Sequence, residues 1–196
     1  MIFVVLWGAA VGPLSAHPHV WFETQIVVQP AEDSYRLGFE WTFDAMFTEM
    51  IVADFDENDD RAFDPQEVEA IQAEAFSNLR HYDYFVTVRV GDRSFVPQGV
   101  EDFSAFLRGD SLVYRFFITD RVPDSFAVTV FDDSYYCAID YNDDIVVLEG
   151  LSAARVWVRR QTAGDRVARY QTSHGVAGIF GNNNTAVGEE IVLRFN

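Results

Sequence analysis

Apolar and polar side chains alternate along two neighbouring segments near the start of the chain. Val20, Phe22, Thr24, Ile26 and Val28 take every second position in the first segment, and a second alternation runs through residues 35–41. Successive side chains of a β-strand point to opposite faces, so a period of two predicts a strand in each segment. Turn-forming residues lie between the two segments at positions 30–34. The sequence therefore predicts an N-terminal hairpin.

The hydrophobic period then changes. Apolar residues recur at spacings of three and four at Phe43, Met46, Phe47, Met50 and Ile51. This pattern predicts an amphipathic helix of about three turns. A second helical pattern begins near Asp64, which suits an N-cap, with Pro65 at the first helical position and Glu67 three residues after the cap. Two predicted helices therefore flank an acidic loop.

After residue 84 the alternation returns. Short strands are predicted at residues 86–90, 112–118, 126–131, 135–141, 145–148 and 156–158. Turn residues separate them at intervals suited to a sandwich. The predicted fold class is α+β: a mainly antiparallel, β-sandwich-like domain at residues 17–160, with a helix-loop-helix inserted at about residues 42–80. The Gly- and Asn-rich tail at residues 161–196 is predicted to be loop, with a final edge strand at residues 191–195.

The first sixteen residues have the layout of a secretory signal peptide. Residues 1–11 form an apolar run too short to span a bilayer, Gly12-Pro13 interrupts it, and small residues end at Ala16. The positive charge that usually precedes the apolar run is missing. Cleavage after Ala16 makes His17 the N-terminus and leaves no membrane anchor. The expected location is periplasmic or secreted, and the alternative is a buried N-terminal strand.

Composition adds a strong negative charge. The formal net charge is −17, from 31 acidic and 14 basic residues, and every basic residue is Arg. Such a surface repels phosphate backbones and anionic lipid headgroups, so nucleic-acid and membrane-surface binding are disfavoured. It attracts cations, or it keeps an exported protein soluble. Cys137 is the only cysteine, which excludes an intramolecular disulfide and a Cys₂His₂ zinc site, and its apolar neighbours predict a buried thiol.

Residues 56–67 match an EF-hand calcium loop. Such a loop needs oxygen ligands at its first, third, fifth and ninth positions, a carbonyl at the seventh and a bidentate Glu at the twelfth, because calcium takes six to eight hard oxygens. Those positions hold Asp56, Asn58, Asp60, Asp64, the carbonyl of Ala62, and Glu67. Phe63 supplies the apolar residue expected at the eighth. The sequence therefore predicts an EF-hand-like calcium site with a structural role.

One position departs from the pattern. The sixth place normally holds Gly in a left-handed backbone conformation, and this chain has Arg61. A side chain there strains the backbone, and a guanidinium brings positive charge near the cation, so the predicted affinity is weakened. The alternative interpretation is a solvated acidic loop followed by a well-capped helix.

Two histidines lie at the predicted mature terminus. In an extended strand His17, His19, Trp21 and Glu23 share one face, opposite the apolar side chains. Imidazole suits zinc, copper, nickel and iron, and the free amine of His17 would add a nitrogen ligand. Pro18 excludes an amino-terminal chelate that uses the second amide nitrogen. The hypothesis is an amine-plus-imidazole clamp at His17, with His19, or a distant His81, His174 or Glu23, completing the set of ligands. The alternative is two surface histidines without ligand duty.

Several motifs in order resemble a bacterial family of unknown function, described as the periplasmic component of an uncharacterised ABC-type transport system and often encoded beside nickel/cobalt-type transporters. The matching segments are His17-Pro18-His19-Val20-Trp21, Trp41-Thr42-Phe43-Asp44, Pro65-Gln66-Glu67, Tyr84-Phe85 and Phe131-Asp132-Asp133-Ser134-Tyr135-Tyr136. They cover roughly residues 16–150. The departures are Arg61, Asp133 and the tail after Leu151. The resemblance implies a periplasmic accessory to transition-metal transport, with His17 and His19 as its ligands and a membrane metal transporter as its partner.

Three functions are compatible with these observations. The first is an exported metal-binding accessory of a transition-metal transporter, with the calcium loop as a further site. The second is a calcium-stabilised structural or interaction domain whose histidines are incidental. The third is a copper enzyme with an N-terminal histidine brace, although an enzyme is not the expectation. No Gly-x-Ser-x-Gly motif supports a hydrolase, and the acidic pair Asp132-Asp133 is interpreted as solvated turn residues.

Overall fold

The computed structural model describes residues 19–134, 136–152, 156–162 and 189–195. Within these residues two five-stranded sheets share one hydrophobic core. The expectation of a mainly β, sandwich-like fold is therefore confirmed. The predicted signal peptide, His17, His174 and most of the predicted tail lie outside the described residues.

The first sheet has the strand order β5-β6-β2-β1-β8. Its strands are β1 (Val20–Ala31), β2 (Ser34–Phe43), β5 (Val100–Arg108), β6 (Ser111–Val122) and β8 (Cys137–Leu148). β1 and β2 form the predicted antiparallel hairpin. β8 joins two segments that the sequence predicts as separate strands, and it runs parallel to β1 with a shift in register between Thr24 and Ile26.

The second sheet has the order β4-β3-β7-β10-β9. Its strands are β3 (Val86–Val90), β4 (Arg93–Phe95), β7 (Ser125–Val130), β9 (Val156–Thr162) and β10 (Glu189–Phe195). The predicted edge position of the last strand is wrong, because β10 pairs with β7 on one side and β9 on the other. Ile191 and Leu193 are fully buried, so β10 belongs to the sandwich and not to a separate tail.

Two helical segments connect β2 to β3. α1 (Ala45–Phe55) begins at its N-cap Asp44, and α2 (Pro65–Ala70) begins at Asp64. After α2 the chain continues through a π-helical segment (Ile71–Phe76) and a 3₁₀ segment (Ser77–Phe85). The last three residues of the 3₁₀ segment have φ values of 53°, 51° and 57°, a left-handed turn that directs the chain into β3.

The apolar face predicted for α1 is wrong in part. Met46 and Met50 are 68% and 50% exposed, whereas Thr48 and Ile51 are buried. The Thr48 hydroxyl accepts a hydrogen bond from the Leu112 backbone N–H at the start of β6, 3.0 Å away. This bond turns the Thr48 side of α1 towards the sandwich and leaves both methionines on the opposite side. In the described part of the chain, no helix has the length and hydrophobicity to cross a bilayer.

Aromatic rings fill the core beneath the helical insertion. Phe76, from the π-helical segment, contacts five rings from the strands and the 3₁₀ segment. These rings belong to Trp41, Tyr84, Phe103, Tyr114 and Phe116. The hydroxyl of Tyr114 and the indole N–H of Trp41 are buried without a hydrogen-bond partner among the described residues. The insertion is therefore attached to the sandwich mainly by apolar packing.

Candidate cation-binding loop

The acidic loop lies between the two helices, as the capping pattern predicts. Asp56 caps the C-terminus of α1, and its backbone N–H donates to the Val52 carbonyl. Asp64 caps the start of α2 and accepts hydrogen bonds from the backbone N–H groups of Gln66 and Glu67 at 2.8 and 3.0 Å. Both ends of the loop are therefore held by helix termini.

The side chains at the first, third and fifth positions turn into the loop. Asp56 is buried, and its two carboxylate oxygens accept the backbone N–H groups of Asp60 (3.2 Å) and Arg61 (2.9 Å). Asn58 also accepts from the Asp60 N–H at 2.8 Å, and the Asp60 carboxylate accepts from the Ala62 N–H at 2.8 Å. These bonds wind the loop tightly and point its side-chain oxygens inward.

Glu67, at the twelfth position, is buried and joins both ends of the loop. One carboxylate oxygen accepts the Glu57 backbone N–H at 2.9 Å, and the other accepts the Asp64 N–H at 2.8 Å. The second bond completes a capping box with Asp64. Glu67 therefore closes the loop across its full length.

Arg61 adopts the left-handed conformation that the sixth position requires, with φ of 58°. Its guanidinium donates to Glu49 on α1 at 2.9 Å. The hydrogen bond from Arg61 lowers the pKa of the Glu49 carboxyl. The positive charge of Arg61 is thus paired with Glu49, away from the side-chain oxygens of the loop. Glu49 belongs to none of the motifs found in the sequence. No periodicity in the sequence predicts its ion pair with Arg61.

The loop carboxylates do not converge on one point. In the described part of the chain, no group of three or more His, Cys, Asp or Glu side chains is placed to hold a metal ion. The carboxylates accept backbone N–H groups, and each oxygen keeps a second lone pair. The donor set has the hard oxygens that calcium prefers. Binding would require these side chains to turn towards a common centre.

His19 lies exposed just before β1. Its backbone N–H donates to the Tyr136 carbonyl at 2.8 Å, and its ring centroid is 5.2 Å from that of Tyr136. Trp21 and Glu23 are exposed and Phe22 between them is buried, so His19, Trp21 and Glu23 share one face, whereas His17 lies outside the described residues. His81 lies in the 3₁₀ segment, where its ring accepts a hydrogen bond from Arg80. The described residues do not bring these histidines together into a metal site.

The interpretation of Asp132 as a solvated turn residue is wrong. Asp132 is buried, and its carboxylate accepts hydrogen bonds from both the backbone and hydroxyl of Ser134 and from the backbone N–H of Cys137. Burial, with the nearby Asp132 carboxylate, raises the pKa of the partly buried Cys137 thiol to about 12. Asp132 therefore organises the turn into β8, and Cys137 stays protonated.

Comparison with known proteins adds one result. The chain matches a family described as "Protein of unknown function (DUF1007)" over residues 2–172. This match extends beyond residues 16–150, where the motifs were found, and it includes the acidic loop and β1–β9. No curated protein and no solved structure matches the chain. Because the match covers most of its length, the chain belongs to the DUF1007 family of proteins of unknown function.

Proposed function

We propose that the protein is an exported β-sandwich domain that binds one calcium ion in the loop of residues 56–67. The proposal is carried by the inward turn of the oxygens at the first, third and fifth positions, together with Glu67 reaching back from the second helix. Residues in these places are the ones through which an EF-hand loop coordinates calcium. Binding would exchange the contacts of these carboxylates with backbone N–H groups for contacts with the cation.

The position of Arg61 supports the same proposal. The main objection from the sequence is its bulk and charge at the glycine position. Its backbone has the required left-handed conformation, and its charge is bound by Glu49 outside the loop. The expected affinity is that of extracellular calcium modules, with a Kd of about 10⁻⁴–10⁻³ M.

A structural role fits the surroundings of the loop better than a signalling role. The loop joins α1, which is hydrogen-bonded to β6, to the segment that inserts Phe76 into the core. Calcium would fix the two helices relative to each other over the end of the sandwich. In an acidic chain it would also reduce repulsion between neighbouring carboxylates.

A matched pair of variants tests the proposal. Asp60→Asn weakens the ligand at the fifth position, whereas Asp59→Asn makes the same charge change at an exposed, non-ligand position. Calcium at ten times Kd should stabilise the wild type by about 1.4 kcal/mol, measured as a rise in Tm. We expect this rise to persist in Asp59→Asn and to disappear in Asp60→Asn. An equal rise in both variants would contradict the ligand assignment.

The variant Glu67→Ala distinguishes the helix-capping role of Glu67 from its proposed role as a calcium ligand. Without calcium, this variant should lose about 1–2 kcal/mol because the capping box and the contact with the Glu57 N–H are removed. With calcium, its Tm should not rise. A calcium-dependent rise of wild-type size would show that the cation binds elsewhere.

A role in transition-metal transport is the second candidate, and it is favoured by the exposed row of His19, Trp21 and Glu23 at the start of β1. The resemblance to a periplasmic transport component supports the same role. Metal analysis of protein purified from a periplasm should find stoichiometric zinc, nickel, cobalt or copper that is lost in the double variant His17→Ala/His19→Ala. Calcium alone would favour the structural domain.

A further inference from the structure

A cavity of about 220 Å³ opens on the outer face of the second sheet. Strand pairing places its lining residues in two rows that cross the sheet. One row consists of Arg89, Ala127, Val192 and Arg159, and the next of Ser125, Arg194 and Trp157. Small side chains form the floor, and the long side chains stand around it. The cavity is therefore part of the regular sheet and does not depend on a loop.

One of the three arginines is neutralised by a buried acid. Arg89 donates two hydrogen bonds to Glu190, at 2.7 and 2.8 Å. Burial by itself would raise the pKa of Glu190, but hydrogen bonds from Arg89 and Gln161 outweigh it and the pKa is lowered. Arg89, fixed and neutralised by Glu190, thus forms one wall of the cavity with little net charge.

The other two arginines keep their charge. Neither Arg159 nor Arg194 has an acidic partner among residues 19–134, 136–152, 156–162 and 189–195. In a chain with a net charge of −17, two guanidinium groups without an acidic partner in the described ranges, beside one apolar floor, form a local positive field. This field attracts anions.

Trp157 orders one of these arginines. The Arg194 guanidinium carbon lies 5.2 Å from the centroid of the Trp157 ring, and the ring is 44% exposed. Stacking on an aromatic face restricts the guanidinium and leaves its edge free for a planar, bidentate carboxylate contact. Arg159 and Arg194 occupy diagonal positions on neighbouring strands, which places their backbones about 7–8 Å apart.

We propose that this face binds a small organic dicarboxylate, with one carboxylate at Arg159, the other at Arg194 and the carbon chain over Val192. We expect two carboxylates on the ligand because two arginines, Arg159 and Arg194, lack an acidic partner among the described residues. The cavity volume limits the ligand to a few carbon atoms, and the apolar floor favours an organic anion over an inorganic one. This proposal is independent of the calcium loop, which belongs to the helical insertion.

Calorimetry of the full chain with succinate, in calcium-free buffer at constant ionic strength, tests the proposal. We expect saturable binding to one site, weakened about tenfold or more in either Arg159→Gln or Arg194→Gln and lost in the double variant. Arg160→Gln is the matched control, because Arg160 lies on the same strand and pairs with Glu189. It should bind succinate as the wild type does, and so should Asp60→Asn.

The affinities of inorganic phosphate and acetate, compared with that of succinate, show whether the site prefers an organic dicarboxylate. Acetate should bind more weakly than succinate, since it engages one arginine only. Phosphate that binds as tightly as succinate would overturn the assignment of an organic ligand. The absence of saturable succinate binding up to about 10 mM, or equal affinity in the double variant and the wild type, would overturn the site itself. Melting curves confirm that each variant is folded.

Discussion

Two parts of the helical insertion are held by different kinds of contact. In the acidic loop, carboxylates accept backbone N–H groups and Glu67 closes the loop. In the π-helical segment that follows α2, Phe76 lies among aromatic rings in the core. Aromatic packing responds little to pH or cations, whereas carboxylate contacts respond to both. From this comparison we expect the Phe76 contacts to anchor the insertion and the acidic loop to be the part whose stability would depend on the proposed calcium ion.

The largest effect is expected for the variant Phe76→Ala. Removing a ring that is 1% exposed should lower the free energy of unfolding by about 3–5 kcal/mol, through lost burial and the cavity left behind. Urea denaturation with and without calcium measures the loss, and calcium should not restore it. Phe76→Leu, which keeps most of the volume, should cost less. A loss below about 1 kcal/mol would refute the anchoring role of the ring.

An intermediate effect is expected at Glu190, whose carboxylate contact lies in a sheet rather than in a loop. Glu190→Gln should cost about 1–2 kcal/mol at pH 7, because charge-assisted bonds with Arg89 are lost. The folded-state pKa of Glu190 lies below the ordinary value of 4.5. Its contribution is therefore complete above that pH and is lost as the pH falls through the lowered pKa.

Denaturation curves at several pH values measure this contribution. The difference between wild type and Glu190→Gln should shrink below pH 4.5 and should be independent of calcium. A difference that stayed constant down to strongly acid pH would show that the ion pair with Arg89 does not stabilise the fold. The result shows whether the stability contributed by Glu190 depends on pH alone and not on calcium.

The smallest effect is expected at Tyr114→Phe. The Tyr114 hydroxyl is buried and has no hydrogen-bond partner among the described residues, and burial raises its pKa. Removing it should increase the free energy of unfolding by up to about 1 kcal/mol, because an unsatisfied polar group leaves the core. Urea denaturation measures the change. A clear loss of stability would mean that the hydroxyl does find a partner, such as a buried water molecule.

Much of the fold could be predicted because its signals are local. The alternation in β1 and β2 and the capping residues around Asp64 each act over a few positions, and these elements occur where they were expected. The edge position of the last strand was wrong because alternation identifies a strand but not its neighbours. The exposure of Met46 and Met50 was missed for a similar reason. The bond between Thr48 and Leu112, which sets the inward face of α1, joins distant residues.

The position of the acidic loop between two helices could be predicted from its spacing, but the hydrogen bonds of its side chains could not. The pairing of Arg61 with Glu49 depends on how α1 meets the loop in space. The unpaired arginines on the second sheet were not found, because Arg159 and Arg194 become neighbours only when β9 pairs with β10. Helix boundaries and caps within one segment are therefore predictable from sequence here, and contacts between strands or between α1 and the loop are not.

The parallel pairing of β1 with β8 has a consequence for how the chain folds. β2 follows β1 directly, so that hairpin can form early, but β8 lies more than a hundred residues further along the chain. Long-range pairing of this kind slows folding, since a large loop must close first. Until β8 arrives, one side of β1 offers unpaired N–H and C=O groups to other chains. During folding, this open side of β1 is the place where intermolecular strand pairing would begin.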